Sequence, residues 1–168
     1  MNKGLLSVDE ALEAMLSGAH PVADIEQIAS LEATGRVLAR AQVSSMNVPP
    51  LDNSAMDGYA VRVADVGVPE ARLNVAQRIA AGGVGGPLEP GTAARIFTGA
   101  PIPPGADAVV MQEHCAVDGV HVVVKRVPLP GEWIRRAASD IRAGTRILEA
   151  GIRLRPQDTG LAASVGIG

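Results

Sequence analysis

Residues 50–61 read Pro-Leu-Asp-Asn-Ser-Ala-Met-Asp-Gly-Tyr-Ala-Val. A prolyl pair precedes the polar residues and an apolar, strand-like run follows them, which predicts a turn leading into a strand. Asp52, Asn53 and Asp57 place short oxygen-bearing side chains on that turn. Magnesium binds one or two carboxylates together with substrate oxygens and water, so this turn is a candidate site for a cation or a charged substrate. Asp and Asn also shape turns for purely structural reasons, and spacing alone leaves both interpretations open.

The chain around this stretch, from residue 44 to residue 140, is rich in short Val, Ile and Ala runs separated by Pro and Gly. Such spacing is typical of a small β-barrel or sandwich. Asp118-Gly119, between two apolar runs, indicates a hairpin. The runs predicted as strands are Tyr59 to Val63, Leu73 to Ile79, Thr92 to Phe97, Ala108 to Gln112, Val120 to Val127 and Trp133 to Arg135.

Both ends of the chain have a mixed character. Ser7 and Glu10 form a capping box before a helix that ends at Gly18, and Pro156 suits the first turn of a second helix reaching Ser164. We also expect a helix over Leu31 to Ala39 and strands over Ile25 to Ala29, Thr145 to Leu148 and Ile152 to Leu154. The predicted fold class is therefore α+β. Residues 1–43 and 141–168 form one mixed α/β domain, and residues 44–140 form an inserted, barrel-like β domain.

Composition excludes several functional classes. The 168 residues carry 15 Lys and Arg against 18 Asp and Glu, without the basic cluster that nucleic-acid binding requires. The single cysteine, Cys115, permits neither an intrachain disulfide nor a thiol zinc site. No apolar run has the length of a membrane span, and the first residues lack the apolar run typical of a signal peptide. We therefore expect a cytoplasmic protein that binds neither nucleic acid nor membrane.

Two further segments carry candidate chemistry. Residues 95–101, Arg-Ile-Phe-Thr-Gly-Ala-Pro, end a predicted strand in a turn whose N–H groups and Thr98 hydroxyl are candidates for binding an anion. Residues 133–140 contain paired arginines, which suit bidentate contact with oxyanions, and Asp140, a third candidate carboxylate. A strand followed by a turn, and a solvated charged segment, are the structural alternatives.

Together these segments resemble the molybdopterin molybdenumtransferases, the family of bacterial MoeA and of the gephyrin E-domain. The family hallmark Asp-Asn-Ser-Ala-Met-Asp-Gly-Tyr-Ala is matched throughout by residues 52–60. Its Arg-Ile-x-Thr-Gly-Ala-Pro-x-Pro is matched by residues 95–103, and its Ala-Val-Val-x-Gln-Glu by residues 108–113. The family's Arg-Arg-x-Gly-Glu-Asp-Ile departs here, because Ala138 and Ser139 stand in place of Gly and Glu.

The resemblance implies an enzyme of molybdenum cofactor biosynthesis that inserts molybdate into adenylylated molybdopterin, releases AMP and uses Mg²⁺. It also implies a homodimer and, as a partner, the molybdopterin adenylyltransferase. Carried over to this sequence, the catalytic residues are Asp57, Thr98 and Asp140, with Asp57 and Asp140 as metal ligands. The substrate-binding residues are Arg135, Arg136, Ser54 and Gly99.

The family's pterin-binding domain lies beyond the segment matched here. We therefore expect this chain to be an N-terminal fragment that is inactive alone. The departure at residues 138–139 leaves open a non-catalytic dimerisation or scaffold module of the same family. A third alternative is another magnesium-dependent enzyme acting on nucleotides.

Overall fold

The computed structural model describes residues 5–168, so the first four residues of the predicted first domain lie outside the described residues. Within these described residues, two α-helices and ten strands follow one another. They are α1 (Val8–Ser17), β1 (Gln42–Val43), β2 (Asn53–Ser54), β3 (Gly58–Val61), β4 (Ala71–Ile79), β5 (Thr92–Ile96), β6 (Ala108–Met111), β7 (Cys115–Asp118), β8 (His121–Val124), β9 (Ile134–Arg135), β10 (Arg146–Leu148) and α2 (Pro156–Ser164).

Six of these strands form one mixed sheet in the order β6-β3-β5-β4-β8-β7. Every neighbouring pair is antiparallel except β4 and β5, which are parallel and joined by residues 80–91. The sheet is a curled half-barrel, and β6 and β7 stand at its two edges. The β-rich character predicted for this region is therefore confirmed, as is the β7–β8 hairpin.

The middle of the sheet is buried on both faces. All four residues of β3 are buried, and alternate residues point to opposite sides. Tyr59 and Val61 join a cluster with Leu73, Val110 and Val124. Ala60 joins the cluster on the other side, which also contains Ile79, Leu88, Ala94, Ile96, Ala100 and Val109. This doubly buried strand makes the residues at its start a rigid platform.

The remaining apolar cluster joins the two ends of the chain. Ala33 packs with Leu148, Leu154 and Ala162, and β1 pairs with β10. The capping box of Ser7 and Glu10 forms at the start of α1, as predicted. No helix within residues 5–168 combines the length and the apolarity needed to cross a membrane.

Three predicted elements at the chain ends are wrong. Residues 21–29 contain no regular secondary structure, so the strand over Ile25 to Ala29 is absent. The helix over Leu31 to Ala39 is reduced to a 3₁₀ turn at Ser30–Glu32, because the following backbone pairs elsewhere. Gly35 N donates to Leu154 O at 2.7 Å, and Leu38 N donates to Ile152 O at 2.9 Å. Residues 152–154 make these contacts and one bridge, without forming a strand.

Candidate functional site

The predicted site begins with Asp57, which lies one residue before β3. In the antiparallel pair of β3 and β5, Gly58 lies opposite Ile96, and this register brings Asp57 beside the turn that follows β5. Both the amide N–H and the hydroxyl of Thr98 donate to Asp57 Oδ1, each at 2.8 Å. These two bonds, with the charge of Arg95, hold the pKa of Asp57 below its ordinary value. Asp57 is therefore an ionised carboxylate with its second oxygen outside this pair of bonds.

The segment of residues 52–57 also joins the segment of residues 134–140. β2 pairs with β9, with Asn53 opposite Arg135. Asp52 accepts a bond from Ala137 N and one from Arg136 Nη1, each at 2.7 Å. The Ala137 amide, followed by the Arg136 guanidinium, lowers the pKa of Asp52. Asp52 thus connects the two segments, which agrees with the structural interpretation of this turn.

Backbone bonds complete the junction of all three segments. Ser54 N donates to Ala100 O at 2.9 Å, and Gly99 N donates to Ser54 O at 2.8 Å. Ile102 N donates to Asp52 O at 3.0 Å. Residues 52–57, 95–101 and 133–140 therefore meet in the structure. We call this arrangement the three-segment junction.

Asp140 belongs to the junction through different partners. Arg135 Nη2 forms an ion pair with Asp140 Oδ2, and Ser139 Oγ donates to Asp140 Oδ1 at 3.0 Å. Asp140, Arg135 and Arg136 are all exposed to solvent. The structure does not link Asp140 to Asp57 through a shared hydrogen-bonding partner among the described residues.

Two residues predicted to bind substrate, Ser54 and Gly99, form hydrogen bonds with the backbone of the junction. Ser54 is 1% exposed, and its Oγ donates to Met56 O at 2.5 Å. Its side chain therefore shapes the turn and is shielded from a ligand. Gly99 is exposed, with a φ of 82° that favours glycine. Because its N–H is bonded to Ser54, Gly99 offers a ligand space rather than a donor.

The amide donors considered for anion binding at the turn after β5 have hydrogen-bond partners within the protein. Thr98 N–H bonds to Asp57, Gly99 N–H to Ser54, and Ala100 N donates to Phe97 O at 2.9 Å. All three amides are satisfied within the protein. An anion at this turn must therefore be bound by side chains.

Sequence reasoning missed Arg95, which contacts residues on both sides of the Asp57–Thr98 pair. Its guanidinium lies over the rings of Tyr59 and Phe97, at 5.3 Å and 4.6 Å from their centroids. It donates to Gly58 O at 2.9 Å and to Gln112 Oε1 at 2.6 Å. The available signal was the two-residue spacing of Arg95 and Phe97, which places both on one face of a strand.

The carboxylates offer only part of a metal site. Hard oxygen ligands suit Mg²⁺, and Asp57 and Asp140 are ionisable groups at the surface of the junction. Within residues 5–168, however, no three His, Cys, Asp and Glu side chains are grouped to hold a metal ion. A bound Mg²⁺ therefore needs oxygens from substrate and water in addition to these residues.

The chain is similar in sequence to proteins of one known family. The family model described as "MoeA N-terminal region (domain I and II)" matches residues 6–166. The molybdopterin molybdenumtransferase of Haemophilus influenzae is 40% identical over 166 residues, which cover 97% of this chain and 41% of the relative. Molybdopterin molybdenumtransferase 2 of Mycobacterium tuberculosis is 43% identical over 81% of this chain and 35% of the relative. The chain thus spans less than half the length of these curated relatives.

A solved structure agrees with the sequence relatives. The crystal structure of molybdopterin biosynthesis moeA protein from Pyrococcus horikoshii OT3 superposes with a TM-score of 0.90 at 36% identity. The match covers 98% of this chain and 45% of that protein. With its fold, its three motif segments and the family match all in agreement, the chain belongs to the family of the MoeA N-terminal region.

Proposed function

We propose that this chain is the N-terminal part of a molybdopterin molybdenumtransferase. That enzyme inserts molybdate into adenylylated molybdopterin and releases AMP. The observation that carries the proposal is the Asp57–Thr98 contact at the three-segment junction, because it fixes an ionised carboxylate among polar and charged side chains. The relatives are named for molybdenum transfer to molybdopterin, which supports the same assignment.

Asp57, Thr98 and Asp140 are the proposed catalytic residues. Thr98 orients Asp57 through two hydrogen bonds to one carboxylate oxygen. The carboxylate is therefore ionised and oriented before substrate binds, and no reorganisation energy is needed at that step. Arg135 and Arg136 are placed to contact the anionic substrate. Their pairing with Asp140 and Asp52 keeps both guanidinium groups ordered until an oxyanion arrives.

We infer that Asp57 and Asp140 hold Mg²⁺ jointly with substrate oxygens. Such a cation offsets the charge of molybdate and of the phosphoanhydride that is cleaved. Asp140 is paired with Arg135 in the structure, so the same carboxylate would hold the cation and adjoin a guanidinium that can contact the substrate. Isothermal titration of the full-length protein with Mg²⁺, with and without AMP, tests this sharing. Equal Mg²⁺ affinity in wild-type protein and in a variant lacking both carboxylates would exclude it.

The domain division predicted from sequence is part of this proposal. Residues 1–43 and 141–168 form a dimerisation domain, and residues 44–140 form an inserted β domain that carries the site. The third apolar cluster supports the division, because it is built from both ends of the chain. A homodimer, a cytoplasmic location and contact with the molybdopterin adenylyltransferase belong to the same proposal, and co-purification tests the last of these.

The site formed by this chain is incomplete in the proposed enzyme, because a pterin-binding domain supplies the other half. We therefore expect the 168-residue chain to be inactive alone. The test is complementation of a strain that lacks the enzyme, with nitrate reductase activity as the readout. Restoration of that activity by this chain alone contradicts the proposed incompleteness.

The decisive experiment on the site is Asp57→Asn in the full-length protein. We expect molybdenum insertion to fall by at least about a hundredfold, because the amide keeps the shape and removes the charge. Asp118→Asn is the matched control. Asp118 lies on the β7–β8 hairpin, outside the junction, and pairs with Arg72 of β4. Near-normal insertion by Asp57→Asn removes Asp57 from the catalytic residues.

Two observations favour a second candidate, a non-catalytic scaffold of the same family. Ala138 adopts a φ of 60°, which glycine tolerates better, and Ser139 lacks the acid found in the family pattern. The reading frame beyond Gly168 separates the two candidates. A following pterin-binding domain supports the enzyme, and a stop codon supports the scaffold. Titration with adenylylated molybdopterin against ATP tests the remaining alternative, another magnesium-dependent nucleotide enzyme.

A further inference from the structure

Two arginines and one aromatic ring form a cluster beside the proposed site. Arg78 on β4 lies opposite Arg95 on the parallel strand β5. The guanidinium carbon of Arg78 lies 4.5 Å from the centroid of the Phe97 ring, and that of Arg95 lies 4.6 Å from it. Phe97 directly precedes Thr98, and its N–H donates to Ile79 O at 3.2 Å. The end of β4 therefore borders the turn that orients Asp57.

The two arginines have different surroundings. Arg95 is half-buried, and its guanidinium donates to Gly58 O and to Gln112. Arg78 is exposed, and among the described residues it has no ion pair and no side-chain hydrogen bond. Its guanidinium lies over the ring of Phe97. All five N–H donors of Arg78 thus remain available to a ligand. Stacking on the ring of Phe97 restricts the position of the guanidinium that carries them.

The other groups at the junction that could bind an anion, the amides and the two paired arginines, already have partners within the protein. The amides of Thr98, Gly99 and Ala100 bond within the protein. Arg135 pairs with Asp140, and Arg136 pairs with Asp52. An anion bound at the turn after β5 therefore meets one adjacent arginine that needs no prior bond broken, and that residue is Arg78.

We propose that Arg78 is a substrate-binding residue that contacts a tetrahedral oxyanion, a phosphate or molybdate, next to Asp57 and Thr98. The proposal rests on the proposed function and adds a residue from β4 to it. A planar guanidinium can donate two parallel bonds to such an oxyanion. Phe97 acts as its support, since stacking on the ring orders the guanidinium before the ligand binds. The residue therefore sets affinity for the anion rather than the rate of the chemical step.

The test is steady-state kinetics of the full-length enzyme carrying Arg78→Gln. We expect KM for molybdate or for adenylylated molybdopterin to rise by at least about tenfold, because a charge-assisted bond is lost, with kcat changed far less. A rise for molybdate alone identifies molybdate as the oxyanion, and a rise for the pterin substrate alone identifies the phosphate. Arg78→Lys should recover part of the affinity, and Phe97→Leu should raise the same KM by a smaller factor.

Arg72→Gln provides the matched control. It removes the same charge from the other end of β4, where Arg72 pairs with Asp118 at 2.9 Å, so both KM values should stay at the wild-type level. If Arg78→Gln also leaves both KM values unchanged while Asp57→Asn is inactive, the role of Arg78 is overturned and the proposed function stands. If wild-type protein has no insertion activity, the proposed function fails. Titration with sodium molybdate and with AMP then decides Arg78, and equal affinity in wild type and Arg78→Gln overturns its role.

Discussion

At the scale of single residues, one oxygen of Asp57 receives two hydrogen bonds from the same residue, Thr98. A flexible carboxylate would have to lose rotamer freedom when substrate binds. Here that freedom is already lost in the folded protein, because the Thr98 amide is itself fixed at the end of β5. The contact also explains why the family hallmark and the Thr-Gly-Ala segment occur together in this sequence: neither positions a carboxylate without the other.

Ala138 is a residue under conformational strain. Its φ of 60° lies in the left-handed region, where a side chain costs about 1 kcal/mol or more relative to glycine. We expect Ala138→Gly to stabilise the protein by about 0.5–1 kcal/mol after the greater flexibility of unfolded glycine is deducted. Urea unfolding measures the change.

Ala137→Gly is the control for that substitution. Ala137 is not among the described residues with positive φ, so glycine there relieves no strain and should destabilise by about 0.5–1 kcal/mol. Equal effects of the two substitutions would show that the backbone at Ala138 is unstrained. A gain of activity in Ala138→Gly would further connect this departure from the family pattern with the geometry of Asp140.

At the scale of elements, β3 and β6 approach so closely that position 58 must be glycine. A Cβ at Gly58 would lie 2.0 Å from Val110 O and 3.1 Å from Met111 Cα, and these are backbone atoms of β6, which cannot move away without breaking its pairing with β3. We expect Gly58→Ala to destabilise the protein by about 3 kcal/mol or more. Urea unfolding with the tryptophan signal measures this loss.

Gly86→Ala is the matched control, since nothing lies within 4 Å of a Cβ at that position. Its effect should stay within about 0.5 kcal/mol. Near-wild-type stability in Gly58→Ala would mean that β3 and β6 can separate without cost. That outcome would also remove the rigid platform on which Asp57 depends.

Local patterns predicted the elements whose own residues carry a strand or helix signal. Short Val, Ile and Ala runs identified β4, β5, β6 and β8, and the capping box identified α1. The strand predicted over Ile25 to Ala29 failed because an extended segment needs a partner strand, and none pairs with it among residues 5–168. The helix over Leu31 to Ala39 failed because Gly35 and Leu38 bond to residues 152–154.

The candidate site was predicted only in part for a similar reason. Motif segments indicated Asp57 and Thr98, and their contact follows from the register of two strands that both lie in those motifs. Arg78 carried no local signal, since its place beside Phe97 arises from a parallel pairing across residues 80–91. Ser54 resembled a binding residue in sequence because a hydroxyl looks the same whether it faces a ligand or bonds to Met56.

At the scale of the whole molecule, α1 buries none of its side chains. Leu12, Met15 and Leu16 fall on one face of it and are 53%, 75% and 63% exposed. A cavity of about 830 Å³ lies along residues 22–42 and the end of the chain, and none of its lining residues belongs to the three-segment junction. Apolar surface of this kind marks an interaction site, and we expect a second copy of the protein to cover the face of α1.

We predict that replacing Leu12 and Leu16 together by Glu lowers self-association by at least about a hundredfold. The fold should be unaffected, because neither side chain is buried. Sedimentation velocity over a concentration series measures the change, with Glu13→Gln on the same helix as the control. A wild-type protein that remains monomeric at all concentrations, or a dimer unchanged by the double substitution, contradicts the prediction.

The chain enters and leaves the region of the large sheet at a single point. Ser44 N donates to Thr145 O at 2.9 Å, Gly144 N donates to Ser44 O at 2.8 Å, and Val48 bridges Ile141 just inside. Bringing distant chain segments together has a loop-closure entropy that falls if the intervening chain is already compact. The sheet is thus expected to fold first and to bring the two chain ends together.

Trp133, the single tryptophan, reports on the sheet region, and far-ultraviolet circular dichroism reports on α1 and α2. In refolding, the fluorescence change should precede the helical signal, and simultaneous changes would contradict this order.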